Sequence, residues 1–307
     1  LYDDLEVKAF DKYYPESETS DKGIELVEKA LDAGVLEESD GAIVFKGEDH
    51  GLHTRVFMNS AGLPTYEAKD LGLNYHKIED YPFDASVIIT GNDIIEYMKV
   101  VLKVMAHFYP DIEVKTKHLT HGIVKLPGGK KMSSRAGSVV LAKDILKAAY
   151  EASEKQDRQI VLGAVRYSFL KTRLGGDIVY DPAESVSMEG NSGPYLQYAL
   201  VRARSILRKI GDFEAVESVE DLDGYERDIA VKLSEYQDVF DVALREYSPH
   251  FICNYLYELA QVFNRFYENC RVIDDPRFQH RASLTRAYEA VLAHGLTVLG
   301  MPKPEKM

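Results

Sequence analysis

The residues best suited to chemistry stand together in Lys130-Lys131-Met132-Ser133-Ser134-Arg135-Ala136-Gly137, directly after Pro127-Gly128-Gly129. The Pro-Gly-Gly lead-in predicts a mobile loop rather than a helix or strand. No acidic residue occurs from Lys115 to Arg135, whereas Lys115, Lys117, Lys125, Lys130, Lys131 and Arg135 are all cationic. Ammonium, guanidinium and hydroxyl groups on one loop suit a polyphosphate. They can follow the charge that develops on transferring oxygens, and closure of such a loop excludes water. Composition alone leaves a second reading open, a solvated basic loop in which serine is a turn former.

Three further constellations carry possible chemistry. Tyr66 and Asp70 lie four apart in Thr65-Tyr66-Glu67-Ala68-Lys69-Asp70-Leu71, which opens a predicted helix, so they share one face. A carboxylate with a phenol beside it can receive a guanidinium, although a helix start with an acidic first turn is also common. Ser86-Val87-Ile88-Ile89-Thr90 reads as a parallel strand buried on both faces. It runs into Gly91-Asn92-Asp93 and then a helix from Ile94 to Phe108, the strand–glycine–helix arrangement of a nucleotide site. On the predicted helix from Tyr195 to Ile210, Tyr195, Tyr198, Arg202, Ser205 and Lys209 fall on the face opposite Leu196, Leu200, Ala203 and Leu207. Aromatics interleaved with cations suit unstacked bases and phosphates, and an ordinary surface helix with snorkelling side chains has the same pattern. His50 and His53, in His-Gly-Leu-His, read as polar loop histidines.

The elements that must position these groups follow from periodicity. A helix is predicted over Gly23–Ala33 and strands over Gly41–Phe45 and Arg55–Met58, with a turn at Asn59–Pro64. Helices follow at Lys143–Ala152 and Gln156–Leu170, where Arg166, Lys171 and Arg173 are candidate RNA contacts. Beyond Pro194 the pattern is helical: Tyr195–Ile210, a single helix over Tyr225–Leu244, a third from Ser248-Pro249 to about Cys270, and a last over Ser283–Leu299. Ser248 is expected as N-cap with Pro249 at the first helical position. Gln261, Asn264 and Tyr267 on the third helix are further candidates to face RNA. Four long helices with short links predict a bundle.

Composition bounds the rest. The 307 residues suit about two domains, and 45% hydrophobic with 28% charged residues is ordinary for a globular protein. No apolar run reaches the roughly 18 residues of a membrane span, and Leu1-Tyr2-Asp3-Asp4 resembles no signal peptide. The sequence does not begin with methionine, and a piece of a longer protein is the expectation. Two cysteines, Cys253 and Cys270, lie in apolar helical patterns and are expected to be reduced core residues, not zinc ligands, in a cytoplasmic protein. The net charge of −13 argues against a general nucleic-acid binder. Residues 1–40 hold thirteen acids against four lysines, and Asp212–Asp241 is also acidic, so these blocks should face away from a phosphate backbone.

The Lys131-Met132-Ser133-Ser134-Arg135 loop resembles the KMSKS signature of class I aminoacyl-tRNA synthetases, in the form used by the arginyl-tRNA synthetase family. The stretch Ser187-Met188-Glu189-Gly190-Asn191-Ser192-Gly193-Pro194-Tyr195-Leu196-Gln197-Tyr198-Ala199 is similar to that family's lead-in to its anticodon-binding domain. The resemblance extends from about Tyr66 to Met307. It implies an α/β part followed by an all-α part: residues 1–120 as the C-terminal portion of a Rossmann-type class I catalytic domain, 121–185 as the loop and tRNA stem-contact region, and 186–307 as a helical-bundle anticodon-binding domain. It implies Lys131, Ser133, Ser134 and Arg135 as catalytic, Tyr66 and Asp70 as the arginine site, Gly91, Asp93 and Met132 at ATP, and Tyr195, Tyr198, Arg202 and Lys209 at tRNA. The implied partners are arginine, tRNA(Arg) and ATP with Mg2+, and the implied whole enzyme is a monomer.

Two departures from the family pattern stand out. Ile94 follows Asp93 where the family has Gln or His, with Tyr97 at a position that is often His or an aromatic. The family's upstream His-x-Gly-His motif is also missing, so the chain alone is expected to lack arginine-dependent pyrophosphate exchange. A catalytically inactive, synthetase-like tRNA-binding module, a zinc-dependent cysteinyl enzyme and a nucleotidyltransferase without tRNA remain as alternatives.

Overall fold

A computed structural model describes residues 2–125, 127, 141–216 and 221–307. The chain divides into two compact units, Val7–Gly122 and Ile123–Met307, the latter with Leu1–Glu6. Lys131, Met132, Ser133, Ser134 and Arg135 lie outside the described residues. No helix among the described residues is long and apolar enough to cross a membrane.

The first unit opens with α1 (Glu16–Asp32), which has acids in its first turn and Lys29 in its last, as the helix dipole favours. Asp40 and Gly41, both at positive φ, make a two-residue turn between β1 (Glu37–Ser39) and β2 (Ala42–Phe45), to which β3 (Arg55–Met58) adds antiparallel. Gly41 is therefore a turn residue and not the start of a strand. α2 (Tyr66–Asp80) packs along α1 with backbones nearly touching. A Cβ on Gly23 would lie 2.1 Å from the Ala68 carbonyl oxygen, and one on Gly72 would lie 2.0 Å from that of Thr19. Only glycine at both positions permits this approach.

β4 (Ser86–Gly91) pairs in parallel with β5 (Thr116–His121), joined through α3 (Ile95–Met105) and the short α4 (Ile112–Lys115). The expectation that β4 is buried on both faces is corrected. Ile88 packs on the core, but Val87 is 41% and Ile89 68% exposed. Among the described residues the parallel sheet has only these two strands, and one face carries no layer.

The second unit is mainly helical: β6 (Val124–Lys125) with β7 (Ile178–Val179), and α5 (Ala142–Ala152), α6 (Arg158–Leu170), α7 (Pro182–Ser185), α8 (Gly193–Ile210), α9 (Gly224–Ser234), α10 (Tyr236–Arg245), α11 (His250–Asn269) and α12 (Phe278–Val298). Tyr167 of α6 belongs to the same core as α8, α9, α11 and α12, so the stretch around 158–170 shares its packing with the C-terminal bundle. Phe263 stacks on Tyr288 with centroids 3.7 Å apart.

Two sequence expectations fail here for physical reasons. The single helix over Tyr225–Leu244 is two helices that break at Glu235. The Tyr255 hydroxyl donates to the Lys232 carbonyl at 2.7 Å, the group that residue 236 would use in a continuous helix. Ser248 does not cap α11. Its hydroxyl donates to the Glu246 carbonyl at 3.0 Å, and Pro249 holds the cap position.

At the start of α8 the Ser192 hydroxyl accepts from the Tyr195 N–H at 3.2 Å, a side-chain cap. Gly193 meets α6 so closely that a Cβ would sit 2.3 Å from the Gly163 carbonyl oxygen. That obstacle is backbone and cannot rotate away. Gly193→Ala is therefore expected to destabilise the helical unit by about 1–3 kcal/mol through overpacking. Urea denaturation followed by far-UV circular dichroism measures it, and an unchanged midpoint contradicts the close approach.

A cluster of ions lies beneath α12. Glu226, with 0% of its side chain exposed, accepts from Arg277 Nε at 2.8 Å and Arg281 Nε at 2.7 Å. Arg281 also reaches Asp223 at 3.2 Å, Asp275 at 3.1 Å and the Arg271 carbonyl at 2.8 Å. Cys253 and Cys270 are buried free thiols, pushed up by burial to about 12 and about 11.

Candidate functional site

The carboxylate–phenol pair expected on α2 is built from two helices. Asp70 sits one turn into α2, half-buried, and the Tyr97 hydroxyl on α3 donates to its Oδ2 at 2.5 Å. The phenol bonded to Asp70 is thus Tyr97, 27 residues on, whereas Tyr66 at the start of the same helix is 68% exposed with the Lys69 ammonium 5.3 Å from its ring centroid. Burial raises the Asp70 carboxyl above the usual range, opposed by the Tyr97 hydrogen bond. Burial and the neighbouring Asp70 charge push the Tyr97 hydroxyl well up. Lys77 on α2 is lowered by burial and partly restored by Asp70, and its ammonium donates to the Ser86 hydroxyl at 3.0 Å. A carboxylate that is costly to keep ionised gains from a bound cation.

Beside it, Arg55 of β3 lies 3.8 Å from Glu67 and 5.8 Å from the Tyr97 ring centroid. Its Nε is buried without a hydrogen-bond partner.

The carboxyl end of β4 presents Gly91-Asn92-Asp93 as a tight 3-10 turn before α3, with Asp93 exposed and Ile94 partly covered. A Cβ on Gly91 would stand 2.6 Å from Asp93 Oδ1, so glycine lets the aspartate fold back on the turn. Thr90 Oγ1 lies 2.7 Å from His118 Nε2 of β5, and burial lowers the His118 imidazole, which favours its neutral form. The sequence reading did not single out His118. Its signal was the register Ile88↔His118 and Thr90↔Thr120, which needs the strand pairing.

His50 and His53 belong to a loop through Glu48–His50, where His50 stacks on Phe45 at 5.5 Å. Both are exposed, and among the described residues no group of three or more His, Cys, Asp or Glu could hold a metal.

On the helical unit, Tyr198, Arg202 and Lys209 occur on α8, with Tyr198 and Lys209 exposed. The Arg202 guanidinium lies 4.2 Å from the ring centroid of exposed Tyr267 on α11, so cation and aromatic form one surface. Tyr195 does not join it. Half-buried, it accepts from Asn264 Nδ2 at 2.7 Å and stands edge-on to Tyr257 at 5.6 Å. That bond also occupies the Asn264 amide. Gln261 and Arg265 are exposed on α11. Arg166 and Lys171 are internal ties: Arg166 bonds the Leu5 carbonyl, and Lys171 bonds that of Asn191 at 3.0 Å. Lys143, Lys147, Tyr150 and Arg158 line a groove of about 560 Å³ on α5 and α6.

The family model for the class I (R) tRNA synthetase catalytic domain matches residues 1–166, and that for the DALR anticodon binding domain matches residues 196–307. The arginine–tRNA ligase of Pediococcus pentosaceus is 30% identical over 322 residues, covering 100% of this chain and 57% of that protein. That of Treponema denticola is 31% identical, covering 97% and 55%. The chain spans a little over half the length of these relatives. The Thermus thermophilus arginyl-tRNA synthetase structure superposes with a TM-score of 0.78 at 27% identity, over 93% of this chain and 59% of that one. A Mycobacterium tuberculosis methionyl-tRNA synthetase shares the fold at a TM-score of 0.69 and 14% identity, over 98% of this chain and 76% of that one. A catalytic-domain match over just more than half of the 307 residues, continued by the anticodon-domain match, means that the chain belongs to the arginyl-tRNA synthetase family.

Proposed function

We propose that this chain is the part of an arginine–tRNA ligase that holds the arginine side chain, the ATP phosphates and the anticodon-side arm of tRNA(Arg). In the reaction, the arginine carboxylate attacks the α-phosphorus of ATP. The bond to the β-phosphate oxygen breaks, leaving arginyl-adenylate and pyrophosphate. A terminal ribose hydroxyl of the tRNA then attacks the activated carbonyl, and AMP departs. Neither step needs a covalent enzyme intermediate, so the rate comes from positioning and charge stabilisation.

The observation that carries the proposal is the half-buried Asp70 carboxylate, with Tyr97 on Oδ2 and Oδ1 left as the oxygen a guanidinium would meet. Gly91 and Asp93 bound the adenosine, with Mg2+ arriving on ATP as substrate. Lys131, Met132, Ser133, Ser134 and Arg135 accompany the phosphates. Tyr198, Arg202 and Lys209 receive tRNA, joined by Tyr267 in place of Tyr195. In domain terms, residues 1–120 serve catalysis, 121–185 carry the loop and contact the tRNA stem, and 186–307 bind the anticodon arm.

The test is arginine-dependent ATP–pyrophosphate exchange by the protein as its gene encodes it. Asp70→Asn is expected to raise KM for arginine roughly 10- to 100-fold, the value of about 1.5–3 kcal/mol for a hydrogen bond to a charged group. An unchanged arginine KM contradicts the assignment of Asp70.

A further inference from the structure

We infer that Tyr97 is a positioning residue that sets the geometry of the guanidinium receptor, an inference that rests on the arginine site proposed above. Asp70 has two carboxylate oxygens, and Tyr97 takes Oδ2 at 2.5 Å. The hydroxyl donates its proton to that oxygen and keeps it, because burial and the adjacent charge disfavour its loss. Two consequences follow from this single bond. The carboxylate plane is fixed, since a half-buried aspartate without a second partner would be free to rotate about χ2. The bond also leaves a lone pair on Oδ2 beside those of Oδ1, so the two carboxylate oxygens are acceptors held in one plane.

A planar guanidinium presents two N–H groups in a rigid fork and can engage both acceptors at once. An ammonium of similar reach supplies one point charge and gains less from the fixed pair. Tyr97 is itself held in place. It is partly buried against the core of its unit, and the Arg55 guanidinium lies 5.8 Å from its ring centroid, anchored by Glu67. The neighbouring Ile94 side chain is apolar, so the polar half of the receptor that a side chain from this turn could supply comes from Tyr97, one helical turn further on. Selectivity for a guanidinium over an ammonium therefore depends on the Tyr97 hydroxyl, while the chemical step at the carboxyl end of the substrate does not.

Tyr97→Phe and Tyr97→His separate this role from a packing role. Pyrophosphate exchange is measured with the protein as its gene encodes it, varying arginine, lysine and ATP separately. Tyr97→Phe is expected to raise KM for arginine about tenfold, leave KM for ATP and kcat within about twofold, and narrow the arginine-to-lysine preference. Tyr97→His keeps a donor toward Asp70 and is expected to recover at least half of the lost arginine affinity on a logarithmic scale. An arginine KM within twofold of wild type in Tyr97→Phe overturns the inference while leaving the arginine site standing. Wild-type exchange that does not depend on arginine overturns both. If Tyr97→Phe does not fold, Tyr97→His decides: an arginine KM within about threefold of wild type supports the positioning role, and a tenfold rise refutes it.

Discussion

Glu226→Ala is expected to destabilise the helical unit by about 3 kcal/mol, at the lower end of the cost of opening a buried ion pair. The carboxylate has no exposed surface, so its removal leaves Arg277 and Arg281 facing a cavity. Arg281, 10% exposed, retains Asp223 and Asp275, and Arg277, 32% exposed, can swing toward water. These two escapes hold the cost to the lower end. Replacing Glu226 and Arg281 together by methionine is expected to recover most of it, because the unpaired buried charge has gone.

Acid tests the same cluster. Burial acts to raise the Glu226 carboxyl, but hydrogen bonds from Arg277 and Arg281 prevail and hold it at about 2. A group depressed in the folded state stabilises above its unfolded value near 4.5, and that contribution fades as pH falls toward 2. Urea midpoints of wild type and Glu226→Ala should therefore converge between pH 5 and about pH 2. A gap that stays constant with pH would mean that Glu226 does not act through its charge.

This glutamate also marks where the sequence stops being legible. Asp212–Asp241 reads as an acidic block that faces away from phosphate, yet Glu226 within it is the buried centre of an ion network. Its arginines stand 51 and 55 residues away, and nothing in local composition announces the pairing. The break at Glu235 is hidden for the same reason, since the hydroxyl that takes the Lys232 carbonyl comes from Tyr255 on another helix. Glycines at 23, 72 and 193 look like breakers or spacers in one dimension and prove to be contact points between helix backbones. What could be read ahead was periodic or contiguous: β3 at Arg55–Met58, α2 and the end of α8 at Ile210.

The candidate site divides along the same line. Asp70 was singled out by the family resemblance, because an acid near the start of a helix is common on its own. Its true hydroxyl partner was not, because i,i+4 spacing points to Tyr66 whereas the tertiary fold delivers Tyr97. Tyr195 illustrates the converse. Its place on the polar side of a helical wheel suggested solvent, but α11 covers that edge of α8, and Asn264 and Tyr257 enclose the ring. Helical periodicity gives the angular position of a side chain, and only the neighbouring element decides whether that direction is wet.

Lys131→Ala should show a kinetic signature opposite to that of Asp70. In the proposed reaction, attack on the α-phosphorus builds negative charge on the departing pyrophosphate oxygens, where the Lys131 ammonium would meet it. Removing one such preorganised group typically costs about 10²–10³ in kcat, or about 2.7–4 kcal/mol. Because the charge is largest in the transition state, KM for arginine should stay within about twofold. Lys131→Arg keeps the charge but offers a planar fork in place of a compact ammonium, so it should recover part of the rate and not all of it. Lys130→Ala, at the neighbouring position, is the control and should fall by less than about threefold if that lysine is only solvated. Single-turnover formation of arginyl-adenylate reads the chemical step directly. A Lys131→Ala rate within threefold of wild type would remove Lys131 from the chemistry. A defect confined to arginine KM would make Lys131 part of substrate binding, leaving another cation to stabilise the leaving pyrophosphate.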